Sequence, residues 1–248
     1  MPIIHPPKPG SALWVTAHPR AASLNGRLFR EGVSALSTRY QVATSDLYAQ
    51  GFNPVLGDGD LGDLAGVPGN LAVQAGESYA AAELLVLQFP LWWYGPPAIL
   101  KGWFDRVLTD QFAYGDLDPE LGVPRRYGDG GLAGRRALVI VTAGEDERSI
   151  GPRGISGDLD SLLFPLTHGV LWYTGIEVLD LHVVYDADAL DSTQVDQEVK
   201  RLRERLDSLD KEAPHRFRSL RDGDYRSTRA LQSDILPGRT DLGIHLAD

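Results

Sequence analysis

The feature that most restricts the fold of this chain is the regular alternation of short apolar runs with helical patterns. Strands are predicted at residues 12–17, 41–47, 84–89, 136–142 and 177–184, and helices at residues 23–36, 96–108, 158–168 and 195–209. Strands that alternate with helices in this way form a mostly parallel sheet with helices on both faces. The sequence therefore predicts an α/β fold on a doubly wound, five-stranded parallel sheet.

Two long, loop-rich segments interrupt this alternation, at residues 53–70 and 115–134. After the last helix, residues 210–248 contain proline, glycine and arginine with only scattered apolar side chains, too few to build a separate core. We predict one domain over residues 1–209, which starts with a proline-rich lead-in at 1–10, and a C-terminal tail over residues 210–248. The tail is expected to pack on the domain or on a partner subunit.

Composition excludes several classes of function. The 248 residues carry a net charge of −10, whereas nucleic-acid binding needs a basic face, so no nucleic-acid partner is expected. The chain has no cysteine, which excludes disulfides, thiolate metal sites and a cysteine nucleophile, and redox chemistry would need a bound cofactor. Because no signal-peptide pattern and no run of 18 apolar residues is present, we expect no membrane insertion and a cytoplasmic location.

Candidate site residues follow from strand order, because ligands of a doubly wound sheet bind beyond the carboxyl ends of its strands. After the first strand, residues 16–25 form a polar loop that enters a helix. Ser23 or Asn25 could cap this helix, and the free amides there could bind a phosphate. The alternative is capping alone, with His18 accepting a hydrogen bond within the loop.

Two further strand ends are distinctive. After the third strand, the triplet Trp92-Trp93-Tyr94 could form the wall of a pocket for a flat heteroaromatic ring, or instead a subunit interface or loop core. After the fourth strand, Gly144 allows a ligand to approach the backbone closely, although a turn glycine needs no ligand.

Several other chemistries have no visible motif. The chain lacks a P-loop, a Gly-x-Gly-x-x-Gly loop, a His-Glu-x-x-His helix and a Gly-x-Ser-x-Gly elbow. His168 and His182 lie in apolar contexts that favour structural roles, so no metal site is predicted. Nucleotide and ester hydrolysis are therefore disfavoured.

The segment 89–107, with sequence FPLWWYGPPAILKGWFDRV, resembles the signature of the NAD(P)H:quinone oxidoreductases, or DT-diaphorases, nearly position by position. Shorter segments at residues 17–19, 23–25, 45–48, 52–54, 112–114 and 154–158 also resemble family motifs in the same order. The resemblance extends from about residue 12 to residue 209 and leaves the tail unassigned. It implies a flavodoxin-like homodimer that reduces quinones through a bound flavin.

The resemblance also implies roles for individual residues. FAD, with FMN as second choice, would bind its phosphates near His18, Ser23, Leu24 and Asn25. Its ring would lie against Pro90, Leu91, Trp92, Trp93 and Tyr94 on one side and Thr142, Ala143, Gly144 and Glu145 on the other. NADPH or NADH would donate the hydride, and a quinone-like acceptor would contact Trp93 and Tyr114.

One loop departs from the family pattern. Ile150 and Ser156 stand where the family usually has a Tyr and a His that help to stabilise the reduced flavin, and Glu145 replaces the second glycine of a pair. Ser156 or backbone amides would then have to act as the catalytic donors. Since a nearby carboxylate disfavours an anionic ring, we expect slower flavin reduction, or a narrower acceptor range, than in members with the full set. The alternative is that Arg148 or Arg153 of the same loop supplies positive charge instead.

These departures leave two other functions open: a tailoring reductase that acts on a polycyclic aromatic metabolite, and a flavin-binding regulatory subunit of a transport system. A homodimer is further expected because the predicted helix 96–108 is apolar nearly all round. A single sheet can cover only one of its faces, so a partner subunit would cover the other.

Overall fold

The structure is a computed structural model, and it describes residues 8–60, 81–110, 112–119, 122–225 and 229–247. Part of the predicted lead-in, residues 1–7, and part of the first predicted insertion, residues 61–70, lie outside the described residues.

All of the predicted strands and helices are present, with small shifts at their ends. The strands are β1 (Lys8–Thr16), β2 (Gln41–Asp46), β3 (Ala82–Pro90), β4 (Arg136–Thr142), β5 (Glu177–Val178) and β6 (His182–Val184). The helices are α1 (Leu24–Leu36), α2 (Ala98–Val107), α3 (Leu159–Leu166) and α4 (Ser192–Ser208). A π-helical segment, Thr167–Trp172, continues α3. None of the described helices is long and apolar enough to cross a membrane.

The strands form a parallel sheet in the order β2-β1-β3-β4-β5, with β6 also paired to β4. This is the flavodoxin-like order, and the direction of winding reverses between β1 and β3. The predicted α/β fold with a doubly wound parallel sheet is therefore confirmed. The carboxyl ends of β1, β3 and β4 lie together at this reversal.

The last predicted strand, 177–184, differs from the prediction because it is split into two pieces. β5 pairs with Arg136 and Ala137, and β6 pairs with Ile140 to Thr142 on the same edge of β4. Between them the carbonyl of Asp180 accepts a hydrogen bond of 2.6 Å from Arg205 of α4. This contact lies at the interruption between the two strand segments.

Helices cover both faces of the sheet, α1 and α4 on one side and α2 and α3 on the other. Trp14 of β1 is fully buried under α1, and a β-carbon built at Gly32 would lie only 2.3 Å from its ring. Only glycine at this position allows the helix to approach the indole so closely. This close packing holds the buried indole of Trp14 in place next to the candidate site described below.

The apolar surface of α2 is covered within the chain. Ile99, Trp103 and Phe104 are all buried, and the segment 53–60 packs on the helix through Pro54 next to Gly102. Arg106 also binds Asp60 through two hydrogen bonds of 2.9 and 3.0 Å. The expectation that a partner subunit must cover this helix is therefore wrong, because the first insertion covers it.

The tail packs on its own domain and returns to its starting point. Phe217 is buried in the core on the α2 and α3 face, and the amide of His215 donates to the Val178 carbonyl at 2.7 Å. Phe217 also pairs with Leu246, and the amide of Ala247 donates to the carbonyl of Arg216. The tail is thus a loop whose two ends are joined.

The two histidines predicted to be structural lie in apolar or aromatic surroundings. His168 stacks on Phe164 and Tyr127 with ring centroids 4.5 and 4.9 Å away, and burial lowers the pKa of His168 to about 4. His182 is 1% exposed, and burial, with Arg201 and Arg205 nearby, lowers its pKa to about 3. Both side chains are therefore neutral at pH 7.

Candidate functional site

The loop after β1 presents hydrogen-bond donors at the start of α1. Ser23 caps the helix, since its hydroxyl oxygen accepts from the Gly26 amide at 3.2 Å, and this hydroxyl donates to the Arg20 carbonyl at 2.7 Å. Nδ1 of His18 lies 3.1 Å from the Arg20 amide nitrogen, 3.2 Å from the Arg20 carbonyl oxygen and 3.0 Å from the Ser23 hydroxyl, so the ring is held on this loop through Nδ1. Burial is the main reason that the pKa of His18 lies below its usual value. The His18 ring is therefore mainly neutral at pH 7.

A buried chain of hydrogen bonds joins the strand ends below this loop. The indole of Trp14 donates to Gln88 Oε1 at 2.9 Å, and Gln88 Nε2 donates to the Asn25 carbonyl at 2.7 Å. Nδ2 of Asn25 donates to Oγ1 of Thr142 at 2.7 Å. The side chain of Asn25 is thereby held against Thr142, across the switch point of the sheet.

The loop after β3 makes an unusual turn. The amide of Trp92 donates to the Gly95 carbonyl at 3.1 Å, and the Gly95 amide donates back at 3.2 Å. The two residues between them, Trp93 and Tyr94, have φ angles of +50° and +60°. Positive φ at both central positions defines a type I′ turn, which normally uses Asn and Gly. Bulky residues are strained in this conformation.

Replacing Trp93 with asparagine is expected to stabilise the protein by about 1 kcal/mol, because asparagine tolerates the left-handed conformation better. Trp93 is 97% exposed in the single chain, so little packing within the chain is lost. Ile155→Asn is the matched control, because Ile155 is 98% exposed and is not among the residues with positive φ. Chemical denaturation compares the free energies of unfolding, and equal changes in the two variants would contradict the strain.

The turn directs Tyr94 to Glu145, in the loop after β4. Tyr94 Oη donates to Glu145 Oε1 at 2.8 Å, and the hydroxyl of Ser156 donates to Glu145 Oε2 at 2.6 Å. The two hydroxyl oxygens lie 3.1 Å apart. We call these three residues the Glu145 cluster. Since the Ser156 hydrogen is directed to Glu145, Ser156 is not a free donor in this arrangement.

The loop after β6 completes the site. The amides of Asp186 and Ala187 donate to the carbonyls of Glu145 and Ala143 at 3.1 and 2.9 Å. A β-carbon at Gly144 would lie 3.0 Å from a carboxylate oxygen of Asp188. Glycine at position 144 therefore permits the close approach of this loop.

Together these loops enclose a cleft of about 350 Å³ at the carboxyl edge of the sheet. The described residues that line it are His18, Ser23, Leu24, Asn25, Pro90, Leu91, Trp92, Tyr94, Thr142, Ala143, Gly144, Glu145, Ile150, Ala187 and Asp188. All of the predicted cofactor residues except Trp93 are thus brought together. Within the described residues, no group of three or more potential ligands could bind a metal ion.

Some residues depart from the predicted set. Trp93 and Tyr114 do not line the cleft, and Ser156 reaches it only through the Glu145 cluster. Ala187 and Asp188 were missed, although their position after the last strand was a usable signal, because every parallel strand ends at this edge. Gln88 was also missed as an organising residue. A single polar side chain in the apolar run of β3 was the signal for it.

Comparison with known protein families identifies the family of this chain. A family model described as "Flavodoxin-like fold" matches residues 11–208, which include every strand and helix that contributes to the cleft. The chain belongs to this flavodoxin-like family.

Individual relatives of this flavodoxin-like protein are enzymes by name. It is 35% identical to a ribosyldihydronicotinamide dehydrogenase-like protein of Penicillium crustosum, over 86% of each chain. It is 32% identical to NAD(P)H dehydrogenase [quinone] 1 of Rattus norvegicus, over 90% of this chain and 87% of the rat protein. A candidate quinone reductase structure from Klebsiella pneumoniae matches with a TM-score of 0.88 and 37% identity, over 96% of this chain and 99% of the other. That coverage includes most of the tail.

Proposed function

We propose that this protein is a flavin-dependent NAD(P)H oxidoreductase that transfers a hydride to a quinone or a similar flat aromatic acceptor. The observation that carries the proposal is the cleft at the reversal of the sheet, where a helix N-terminus meets a flat aromatic wall. The relatives named as quinone dehydrogenases support the same reaction. A cytoplasmic location is also part of this proposal.

The residues of the cleft fit a flavin. Its volume of about 350 Å³ suits a planar ring system. The amides of Leu24 and Asn25, with the His18 ring beside them, would donate to phosphate oxygens, and we propose FAD rather than FMN as the cofactor. Leu91, Trp92 and Tyr94 form one side of the ring pocket, and Ala143 and Gly144 form the other. When bound, the flavin supplies the hydride chemistry by accepting from NADH or NADPH and donating to the acceptor.

The protein side chains control the polarity around this ring. Ile150 is 3% exposed and lines the cleft, so the position of the family Tyr offers no hydroxyl. We propose that Ser156 orients Glu145, because the Ser156 hydroxyl hydrogen is directed to that carboxylate. The carboxylates of Glu145 and Asp188 place negative charge at this end of the cleft. We therefore still predict that NAD(P)H reduces the flavin more slowly than in family members that carry the Tyr and the His.

His18 is expected to make FAD binding depend on pH. A bound pyrophosphate would favour protonated His18, whose pKa in the free protein lies below its usual value. FAD affinity should therefore rise as pH falls from 8 to 5.5. Fluorescence titration measures the affinity. His18→Gln keeps a donor and should bind as the wild type does at pH 8 but lose the rise, whereas His18→Ala should bind about tenfold more weakly than the wild type at pH 8 and also lose the rise.

A homodimer is also part of the proposal. Trp93 and Ile155 are 97% and 98% exposed, and they lie in the loops that carry the Glu145 cluster. Exposed large apolar side chains of this kind favour burial by a second subunit. In such a dimer, Trp93 and Tyr114 would contact the acceptor from outside the cleft. A strict monomer in a mass measurement at micromolar concentration would contradict this arrangement.

The reaction itself is tested on the purified protein. Its visible absorption spectrum and extracted cofactor identify FAD or FMN, and turnover of NADH and NADPH with a soluble quinone measures the activity. A bound flavin with rapid quinone turnover supports the proposal. A flavin without turnover favours a regulatory subunit, and turnover confined to polycyclic aromatic metabolites favours the tailoring reductase.

A further inference from the structure

The chain of hydrogen bonds from Trp14 to Thr142 has a fixed direction. An indole N–H can only donate, so the amide oxygen of Gln88 must face Trp14 and its nitrogen must face Asn25. Gln88 Nε2 also lies 3.4 Å from Asn25 Oδ1, which leaves Nδ2 of Asn25 to face Thr142. The indole and the Asn25 carbonyl, which can only accept, together orient the Gln88 amide, and the 3.4 Å contact extends this orientation to the Asn25 side chain.

At the end of this chain, Thr142 is left with a hydrogen to donate. Its oxygen accepts from Asn25, and none of the described residues accepts the hydroxyl hydrogen. Thr142 is 4% exposed and lines the cleft. Since buried hydroxyls are normally bonded, the ligand in the cleft is the natural acceptor.

On the basis of the proposed flavin site, we infer that Trp14, Gln88 and Asn25 are positioning residues that present the Thr142 hydroxyl as a donor to the bound ring. The site would then select a ring with a carbonyl oxygen or ring nitrogen at its inner edge. Because these acceptors become more electron-rich on reduction, the donor should stabilise the reduced ring more than the oxidised ring.

Substitutions of Thr142 test the donor directly, with FAD as the probe. Thr142→Val keeps the branched shape and removes the donor, so we expect FAD to bind about tenfold more weakly. The midpoint potential of the bound FAD should also become more negative. Thr142→Ser keeps the hydroxyl and should bind within about threefold of the wild type. The midpoint potential of the bound FAD distinguishes a hydrogen-bond donor to the ring from a residue that only supports the fold.

Substitutions of tryptophan test the direction of the chain. Trp14→Phe removes the indole donor, and we expect it to weaken FAD binding several-fold and to lower the midpoint potential. Trp103→Phe is the matched control, because Trp103 is also 0% exposed but lies in α2 and outside the cleft. Adding Trp14→Phe to Thr142→Val should change FAD affinity little further, since both act on one hydrogen bond.

The outcomes separate this inference from the proposed function. If the wild type binds FAD and Thr142→Val matches it in affinity and potential, the inference fails and the flavin site stands. If Trp14→Phe behaves like Trp103→Phe, the positioning role is overturned. A wild-type protein that binds neither FAD nor FMN overturns both.

Discussion

Replacing Gly144 with leucine is expected to weaken FAD binding at least about 100-fold while the protein stays folded. Gly144 lines the cleft, and its β-carbon would point at Asp188, 3.0 Å from the carboxylate oxygen. Its φ is not positive, so the backbone accepts a side chain. A leucine side chain would therefore have to displace Asp188 or turn into the cleft, and either change disturbs the space proposed for the ring. A 100-fold loss corresponds to about 2.7 kcal/mol of binding free energy.

Gly169→Leu is the matched control for this variant. A β-carbon at Gly169 meets no atom within 4 Å, and the residue lies in the π-helical segment, outside the cleft. FAD titration gives the affinities, and thermal unfolding shows that both variants are folded. A folded Gly144→Leu protein that binds FAD within threefold of the wild type would place the ring elsewhere.

Acidification is expected to destabilise the protein strongly because of His182. Its pKa is lowered to about 3 in the folded protein, whereas an unfolded histidine titrates near its usual value of about 6.5. The unfolded state therefore binds more protons below pH 6.5, and stability is lost as pH falls from there toward 3. For one such histidine, the loss by pH 4.5 is on the order of 2 kcal/mol. His168, with a pKa of about 4, acts in the same direction.

His182→Leu should remove much of this acid sensitivity. Neither ring nitrogen of His182 has a hydrogen-bond partner among the described residues, so leucine costs little at pH 7. Urea unfolding of the wild type and the variant at pH 7 and 4.5 measures the effect. If the variant loses as much unfolding free energy as the wild type between these pH values, other groups are responsible.

Most of the fold could be predicted because its signals are local. Apolar runs and helical spacing mark each strand and helix, and the shared edge of parallel strands brings residues such as His18 and Thr142 together. The split between β5 and β6 could not be predicted, because the run 177–184 carries no local sign of the interruption, where the folded chain brings Arg205 to Asp180.

The residues of the candidate site could be predicted better than their conformations. Tyr94 was expected at the cleft, but its positive φ and its bond to Glu145 have no signal in the sequence. Ser156 was expected to be a free donor, and its actual partner is Glu145. Hydrogen-bond direction depends on neighbours that are distant in sequence, such as Gln88 and Asn25.

The joined ends of the tail bear on how this protein can tolerate insertions. The amide of Arg218 donates to the carbonyl of His245, next to the pairing of Phe217 with Leu246. The chain between these contacts is a closed loop, and doubling the length of a flexible loop costs only about 0.6 kcal/mol. A foreign peptide or a small domain could therefore be inserted near Gly238 without opening the anchor. The tail therefore offers an internal site at which another peptide or domain can be fused without using the C-terminus.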